Sequence, residues 1–328
     1  MATALREIAF WLERANEPTY RVRAFRRAAA VVDAEPGIGR RVESGTLTEL
    51  SGIGRTTAKV IEQAHRGEVP EYLAKLRADA GTPERGRALR EALRGDCHTH
   101  SDWSDGGSPI DEMARTAAGL GHEWMALTDH SPRLTVANGL SADRLRRQLD
   151  VVAELNERLA PFRILTGIEV DILDDGALDQ DEDLLAELDV VVASVHSKLR
   201  MEAPAMTRRM CAAVRNPHVD VLGHCTGRLV GSRKRPQSAF DAEAVFDECA
   251  SRGVAVEVNS RPDRLDPPRD LLRLARDLGC VFSIDSDGHA PGQLDWLSYG
   301  CERAEECEIP ADRVINTLKA DDLLHRAR

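Results

Sequence analysis

The chain has 328 residues, of which 42% are hydrophobic and 30% charged. That length can hold one large and one small domain, and the composition suits a soluble globular protein rather than a disordered one. No apolar run reaches membrane-span length, and the opening MATALREIAFWLERA reads as an amphipathic helix without a secretion-signal core, so a cytoplasmic protein with no membrane partner is expected. Net charge is −11 but uneven: residues 1–93 carry 16 Lys+Arg against 13 Asp+Glu, and the remainder 28 against 42. A basic small domain beside an acidic large one suggests that the first holds a polyanion and the second gathers carboxylates for metal. The seven cysteines are odd in number and form no C-x-x-C pair, which argues for a reducing compartment and against a disulfide framework. Cys97 and Cys225 each neighbour a histidine in an expected strand, so both should point to the opposite face, into core.

Apolar residues at three- and four-residue spacing predict helices over 3–16, 21–34, 56–66 and 68–78. Leu5, Ile8, Ala9 and Leu12 form one stripe, and Val22, Phe25, Ala29 and Val32 another. Between them, Leu47 to Ile61 (LTELSGIGRTTAKVI) has helix-hairpin-helix form: Gly52-Ile53-Gly54 turns, and Arg55-Thr56 open a new helix. Two glycines permit the tight turn, and free N–H groups at the helix start can face a phosphate. Ser51 could instead cap a helix. Backbone contacts of this kind would bind DNA without regard to sequence.

Together with Tyr20-Arg21-Val22-Arg23-Ala24-Phe25-Arg26-Arg27-Ala28-Ala29, this hairpin resembles the N-terminal lyase domain of family X DNA polymerases over about residues 5–78. In members with lyase activity a lysine in the helix after the hairpin forms a Schiff base. Here Val60 holds that position, and Lys59 lies one residue off, about 100° around the helix. The resemblance therefore implies backbone binding, while the position of the lyase lysine is held by valine. Residues 1–78 are expected as the helical DNA-binding domain and 79–94 as a linker with a short helix. Bacterial family X enzymes carry the polymerase palm near that point. It has no counterpart in this sequence, so no polymerase activity is expected.

From residue 95 to 328, strand-like apolar runs alternate with helical stretches. The runs are 96–100, 124–130, 163–170, 190–196, 219–224, 254–259 and 280–285, with helices at 108–120, 141–158, 180–187, 204–214, 240–251 and 267–278. Buried Val/Ile runs separated by helices predict a parallel sheet with enough units to close a barrel. His98-Thr99-His100 opens the series, and in a strand those imidazoles share a face. Asp105 follows in the loop. His130, Glu169, His196, His224, Asp287 and His289 stand at or just beyond later strand ends. C-terminal strand ends of a parallel barrel meet on one face, so six of the ten histidines and three carboxylates converge there. Imidazole with carboxylate suits zinc, manganese or iron. Nine ligands exceed one ion's needs, so two or three close divalent ions are expected, lowering the pKa of a water that attacks phosphorus.

The nine residues match motifs of the PHP (polymerase and histidinol phosphatase) superfamily over about residues 94–325. The likeness is strongest to the C-terminal PHP domain of bacterial family X polymerases, through Ser194-Val195-His196-Ser197-Lys198, Gly223 to Leu229, Glu257-Val258-Asn259-Ser260 and Arg264-Leu265-Asp266. It implies a distorted seven-stranded β/α (TIM-like) barrel. It also implies one metal on His98, His100, Glu169 and Asp287, a second on Glu169, His196 and His224 with Glu169 bridging, and a third on Asp105, His130 and His289. Glu169, Asp287 and His289 would act most directly in catalysis. Bacterial family X PHP domains are manganese-dependent 3′–5′ exonucleases, and other members dephosphorylate histidinol phosphate or nucleotides. A DNA exonuclease or end-processing phosphodiesterase in repair is therefore expected. The alternatives are a phosphatase of a small phosphomonoester and a non-catalytic DNA-binding protein with structural metal.

Lys198, Arg228 and Arg261 follow strands four, five and six and are candidates for gripping substrate phosphate, with a solvated rim as the alternative. Arg233-Lys234-Arg235 could track a nucleic-acid strand, residues 131–140 could form a lid, and Trp103 could stack on a base or cover the barrel mouth. His65, His122, His218 and His325 fit no pattern and are expected at the surface or in packing.

Overall fold

The structure is a computed structural model that describes residues 1–81, 83–231 and 234–326. It divides into two compact units, Met1–Thr82 and Pro83–Arg328.

The first unit is helical: α1 (Ala2–Arg14), α2 (Thr19–Ala34), α3 (Ile38–Glu43), a 3-10 turn at Leu47–Glu49, α4 (Arg55–His65) and α5 (Glu71–Asp79). Both expected stripes face inward, and Leu5, Ile8, Ala9, Leu12, Val22, Phe25, Ala29 and Val32 are all buried with Ile53, Val60 and Ile61. Burying each large aliphatic among them contributes roughly 1.5–3 kcal/mol. The expectation missed α3, whose six residues are too short for a periodic signal. At the hairpin, Gly52 has φ +102, a left-handed conformation that disfavours side chains, and an added Cβ would meet the Arg27 side chain at 2.9 Å. Gly54 caps α4: its N–H donates to Thr57 Oγ1 at 2.9 Å, and that hydroxyl donates back to the Gly54 carbonyl at 3.0 Å. Ser51 does not cap; it accepts from Arg27 at 3.1 Å.

The second unit begins earlier than a linker over 79–94 allows. A short helix α6 (Arg87–Ala92) belongs to it, and Leu89 and Leu93 pack in the main barrel core. Then follow β1 (Gly95–Thr99), α7 (Ile110–Gly119), β2 (Trp124–Leu127), α8 (Ala142–Leu159), β3 (Arg163–Asp171), α9 (Glu182–Leu185), β4 (Val190–Ser194) and α10 (Ala203–Val214). The series ends with β5 (Val221–Leu222), α11 (Ala242–Arg252), β6 (Ala255–Asn259), α12 (Arg269–Asp277), β7 (Phe282–Asp285), α13 (Leu297–Glu306) and α14 (Ala320–Leu324). The seven strands pair in parallel in chain order, a nearly closed barrel with helices outside, as expected. Several strands stop short of the anticipated ends. β5 is only two residues long, yet the Gly223 N–H beyond it still donates to the Ala193 carbonyl of β4 at 2.9 Å, and a Cβ at Gly223 would lie 2.3 Å from Ser194 Oγ.

Among the described residues, no ladder joins β1 to β7. Their seam carries a bridge from Thr99 to Gly288, a hydrogen bond from the Cys97 N–H to Asp285 Oδ1 (2.9 Å), another from the Ser286 hydroxyl to Asp96, and Asn316, whose amide donates to the carbonyls of Gly95 (3.1 Å) and Ile284 (2.9 Å) and to Asp285 Oδ1 (3.0 Å). The segment 131–140 is tied down rather than a free lid. Ser131 donates to Asp179 at 2.6 Å, the Leu140 N–H to the His130 carbonyl at 2.7 Å, and Asn138 to the Trp103 carbonyl at 3.1 Å. All seven cysteines are buried free thiols, and Cys97 and Cys225 lie in hydrophobic core as anticipated. Among the described residues, no helix is long and apolar enough to cross a membrane.

Candidate metal centre

Each site residue but Asp105 is placed by a strand or by the first turn beyond one, and Asp105 stands in the loop between β1 and α7. His98 lies on β1 and His100 just after it, with ring centroids 5.0 Å apart, as the two-residue spacing requires. Glu169 lies on β3, the longest strand, which carries it to the middle of the barrel mouth. His130, His196, His224, Asp287 and His289 follow β2, β4, β5 and β7. Asp287 has φ +51 and Lys198 φ +52, left-handed backbone at two strand ends of the mouth.

Glu169 is the hub. Its Oε2 lies 2.8 Å from His130 Nδ1, 3.3 Å from His98 Nε2 and 3.7 Å from His100 Nε2. Its Oε1 faces the other way, 2.9 Å from His224 Nε2 and 3.2 Å from His196 Nε2. Asp287 Oδ1 lies 3.5 Å from His100 Nε2 and 3.6 Å from His289 Nδ1. Asp105, the most open of the nine, lies 3.3 Å from His289 Nε2 and 3.4 Å from His130 Nε2. All nine expected ligands therefore share one pocket. Their grouping is looser than three separate sets. His100 approaches both His98 with Asp287 and Asp105 with His130 and His289, and His130 also approaches Glu169 with His196.

The pocket fits divalent ions. His98 Nε2, both His100 nitrogens, His196 Nε2 and Glu169 Oε2 are buried without a hydrogen-bond partner. Orphaned buried polar atoms cost free energy unless something binds them. Burial opposes an imidazolium at His98, but Glu169 and Glu257 hold its pKa well above the ordinary value. His196 is pushed up to about 9 against burial by Glu169 and Asp171, and His289 is raised against burial by Asp105 and Asp287. Burial opposes ionisation of Glu169 and Asp287 too, yet the imidazoles and, for Asp287, Arg264 hold both carboxyls well below their usual range. Asp105 is lowered as well, by His289 against burial. His100 is lowered by burial and by His289 and His130, and His224 by burial and Arg264.

Positioning residues came from signals that the sequence reading did not use. Glu257 accepts from His98 Nδ1 at 2.6 Å, and Asp171 faces His196 Nδ1 at 3.2 Å, leaving each Nε2 aimed inward. Glu257 and Asp171 each stand at an i, i+2 position from another polar residue of a buried strand, Asn259 and Glu169. Replacing Glu257 by Gln is expected to weaken Mn²⁺ or Zn²⁺ binding about 10–100-fold. Calorimetric titration checks this, and unchanged affinity would show that the contact does not orient His98.

The phosphate candidates separate. Arg228 donates to the Arg264 carbonyl at 3.2 Å and to the Leu265 carbonyl, so its guanidinium is spent on backbone. Lys198 pairs with Asp174 in the open. Arg261 pairs with Asp263 at 2.8 Å and lies 4.0 Å from Asp287 Oδ2. Arg264, given no role from sequence, lies closer, 3.1 Å from the same oxygen. In the basic run, Arg233 lies outside the described residues, and Arg235 donates to the Gly227 carbonyl at 2.6 Å. Trp103 is half-buried and packs against barrel core. His122 is buried beside Arg90, its pKa pushed down to about 3 by burial, and His218 pairs with Glu182 at 3.2 Å. His65 and His325 are exposed. In the first unit Ser51, Gly54, Arg55 and Thr56 are exposed, but Ile53 is core and offers only backbone. Val60 is buried, and Lys59 pairs with Glu71 at 2.8 Å.

A parallel barrel whose mouth gathers six imidazoles and two aspartates around a central glutamate defines a metal-dependent phosphoesterase. Residues 96–261 match the PHP domain and residues 1–69 a helix-hairpin-helix domain, and the chain belongs to the PHP family, whose members are metal-dependent phosphoesterases. It is 39% identical over 231 residues to the DNA polymerase/3′-5′ exonuclease PolX of Bacillus subtilis, covering 70% of this chain and 40% of that one. The chain thus spans well under half the length of that relative. A "Probable phosphatase" of Thermoanaerobacter is 28% identical over 233 residues, 68% of this chain and 89% of its own. Among solved structures, the histidinol phosphate phosphatase of Lactococcus lactis, complexed with zinc, L-histidinol and phosphate, aligns at 18% identity and TM-score 0.46, over 66% of this chain and 92% of that one.

Proposed function

We propose that the protein is a 3′–5′ exonuclease or DNA end-processing phosphodiesterase of DNA repair. The observation that carries this reading is a full nine-residue metal pocket on a chain that also bears an exposed helix-hairpin-helix turn. His98, His100, Glu169 and Asp287 would hold one divalent ion, Glu169, His196 and His224 a second, and Asp105, His130 and His289 a third. Bound there, manganese, zinc or iron would lower the pKa of water toward neutrality and neutralise phosphoryl oxygens. The protein's own residues supply the rest. Glu169 offers one oxygen to each side of the pocket. Glu257 and Asp171 fix the imidazole tautomers, and Arg261 and Arg264 stand beside Asp287 where a phosphate oxygen would need cations. Gly52, Gly54, Arg55 and Thr56 would hold the DNA backbone.

A second reading, phosphatase of a small phosphomonoester such as histidinol phosphate or a nucleotide, is supported by likeness to phosphatases over most of their length. Hydrolysis with manganese separates the two. A 5′-labelled oligonucleotide is compared with a panel of monophosphates, using the full chain and residues 83–328, the unit that contains α6. We expect the full chain to shorten the oligonucleotide from its 3′ end and the truncated chain to do so at least tenfold less efficiently, while metal content is unchanged. Turnover of monophosphates alone would select the phosphatase, and DNA cleavage indifferent to the truncation would remove the role given to the hairpin.

A further inference from the structure

Asp105 is the one member of the nine that no strand or strand end places, and its side chain is 38% exposed. Its loop is nevertheless closed on both sides. The Gly106 N–H donates to the Ser101 carbonyl at 2.9 Å, the Asp102 N–H to the Ser108 carbonyl at 3.0 Å, and the Gly107 N–H to the His289 carbonyl at 2.6 Å. A further tie comes from Asp129, the residue before His130, which is 1% exposed and stands outside the nine. Its Oδ1 accepts from the Ser101 N–H at 2.8 Å and from the Ser104 hydroxyl at 2.5 Å. Its Oδ2 accepts from the Ser101 hydroxyl at 2.6 Å and from the Gln148 amide of α8, also at 2.6 Å. Its backbone carbonyl accepts from the Glu169 N–H at 3.2 Å. Three of these four side-chain contacts therefore fall on the loop that carries Asp105. Ser101 directly follows His100, and Ser104 directly precedes Asp105.

We infer that Asp129 is a positioning residue that sets Asp105 against His130 and His289, so that this third ion position is formed before any substrate binds. The inference rests on assigning that position to those three residues and goes on to what builds it. A buried carboxyl group needs donors, and here one loop supplies most of them. Asp105 must meet imidazoles from two other strand ends, 3.4 Å from His130 Nε2 and 3.3 Å from His289 Nε2. A loop left free would lose backbone freedom when an ion arrives, and that loss would weaken binding. Asp129 removes the loss in advance, because the residue whose backbone leads into His130 also holds Ser104 with its side chain. Gln148 fixes the same carboxyl group from α8. Partners one bond removed from the ligands typically change metal affinity by about 10–100-fold.

The test uses full-length protein and Mn²⁺ alone, without substrate, titrated by equilibrium dialysis and elemental analysis. Wild type should take up three ions, one for each set assigned above. Asp105→Ala should lose one of them. Ser104→Ala and Asp129→Asn should each weaken one ion about 10–100-fold while the other two keep their affinity. Ser104→Ala removes a single hydroxyl, so circular dichroism should be unchanged, and it decides alone if Asp129→Asn does not fold. The double variant gives a readout that a packing role would not. Once Asp105 is gone, Ser104→Ala should have no further effect, because it acts through Asp105. Wild-type affinity for every ion in Ser104→Ala and in folded Asp129→Asn would overturn the positioning role and leave the third position standing. So would an equal loss across all ions in Ser104→Ala with and without Asp105. A wild type that takes up two ions, with Asp105→Ala indifferent, would overturn the position and the inference together.

Discussion

Glu169→Gln will abolish phosphoester hydrolysis, with kcat falling ~10³-fold or more, because the substitution removes several kcal/mol of transition-state charge stabilisation. The reason lies in the position of one carboxylate. Its two oxygens face two different sets of imidazoles, His98, His100 and His130 on one side and His196 and His224 on the other. Glutamine has the same shape but one oxygen and no charge, so one side would be left with an amide N–H turned toward cationic partners. Metal content should fall in parallel, measured by elemental analysis of the purified variant. Circular dichroism should be unchanged, because the side chain's volume is kept. A variant that stays folded and turns over substrate at the wild-type rate would remove Glu169 from the centre of the mechanism.

Metal affinity will rise steeply between about pH 6 and pH 9, because ions must displace protons from this pocket. Three histidines, His98, His196 and His289, have raised pKa values, and three carboxylates, Asp105, Glu169 and Asp287, have lowered ones. The metal-free pocket is thus held by imidazolium–carboxylate pairs. For the histidines, folded pKa above unfolded means that the stabilisation is complete below about pH 6.5 and lost as pH rises through the folded values, about 9 for His196. For the carboxylates, stabilisation is present above about pH 4 and lost as pH falls through their depressed values. Two results follow. Binding should release up to three protons, read by calorimetry in buffers of different ionisation enthalpy. In EDTA, the melting temperature should decline as pH passes about 9. Affinity that does not change across this range would mean that the histidines are neutral before ions arrive.

Several parts of this protein were legible in its sequence because they depend on local period. The helical stripes of residues 5–12 and 22–32, the glycine turn at Gly52-Ile53-Gly54, and the alternation of Val/Ile runs with helices each follow from the 3.6- and 2-residue repeats of the backbone. So did the convergence of the nine expected ligand residues, since parallel strands in chain order bring all C-terminal ends to one face. One short helix was lost: α3 has six residues, too few to show a period, while β5, expected over 219–224, is present but only two residues long. The start of the second unit was misplaced for a similar reason. Leu89 in α6 and Leu93 just after it are four residues apart, and only packing reveals that they belong to the barrel core.

What tertiary structure alone decided is which partner each polar side chain takes. Sequence made Arg228 a candidate for gripping phosphate, with a solvated rim as the alternative, but the fold turns its guanidinium onto the carbonyls of Arg264 and Leu265 and puts Arg264 against Asp287. Likewise Glu257, a residue 159 positions from His98, fixes that imidazole's orientation. A hydrogen bond is short and directional, so it depends on ångström-level placement between segments far apart in the chain, and no repeat along the sequence encodes it. Residue type and spacing determined the fold and the membership of the pocket, while contact geometry determined the role of each group within it.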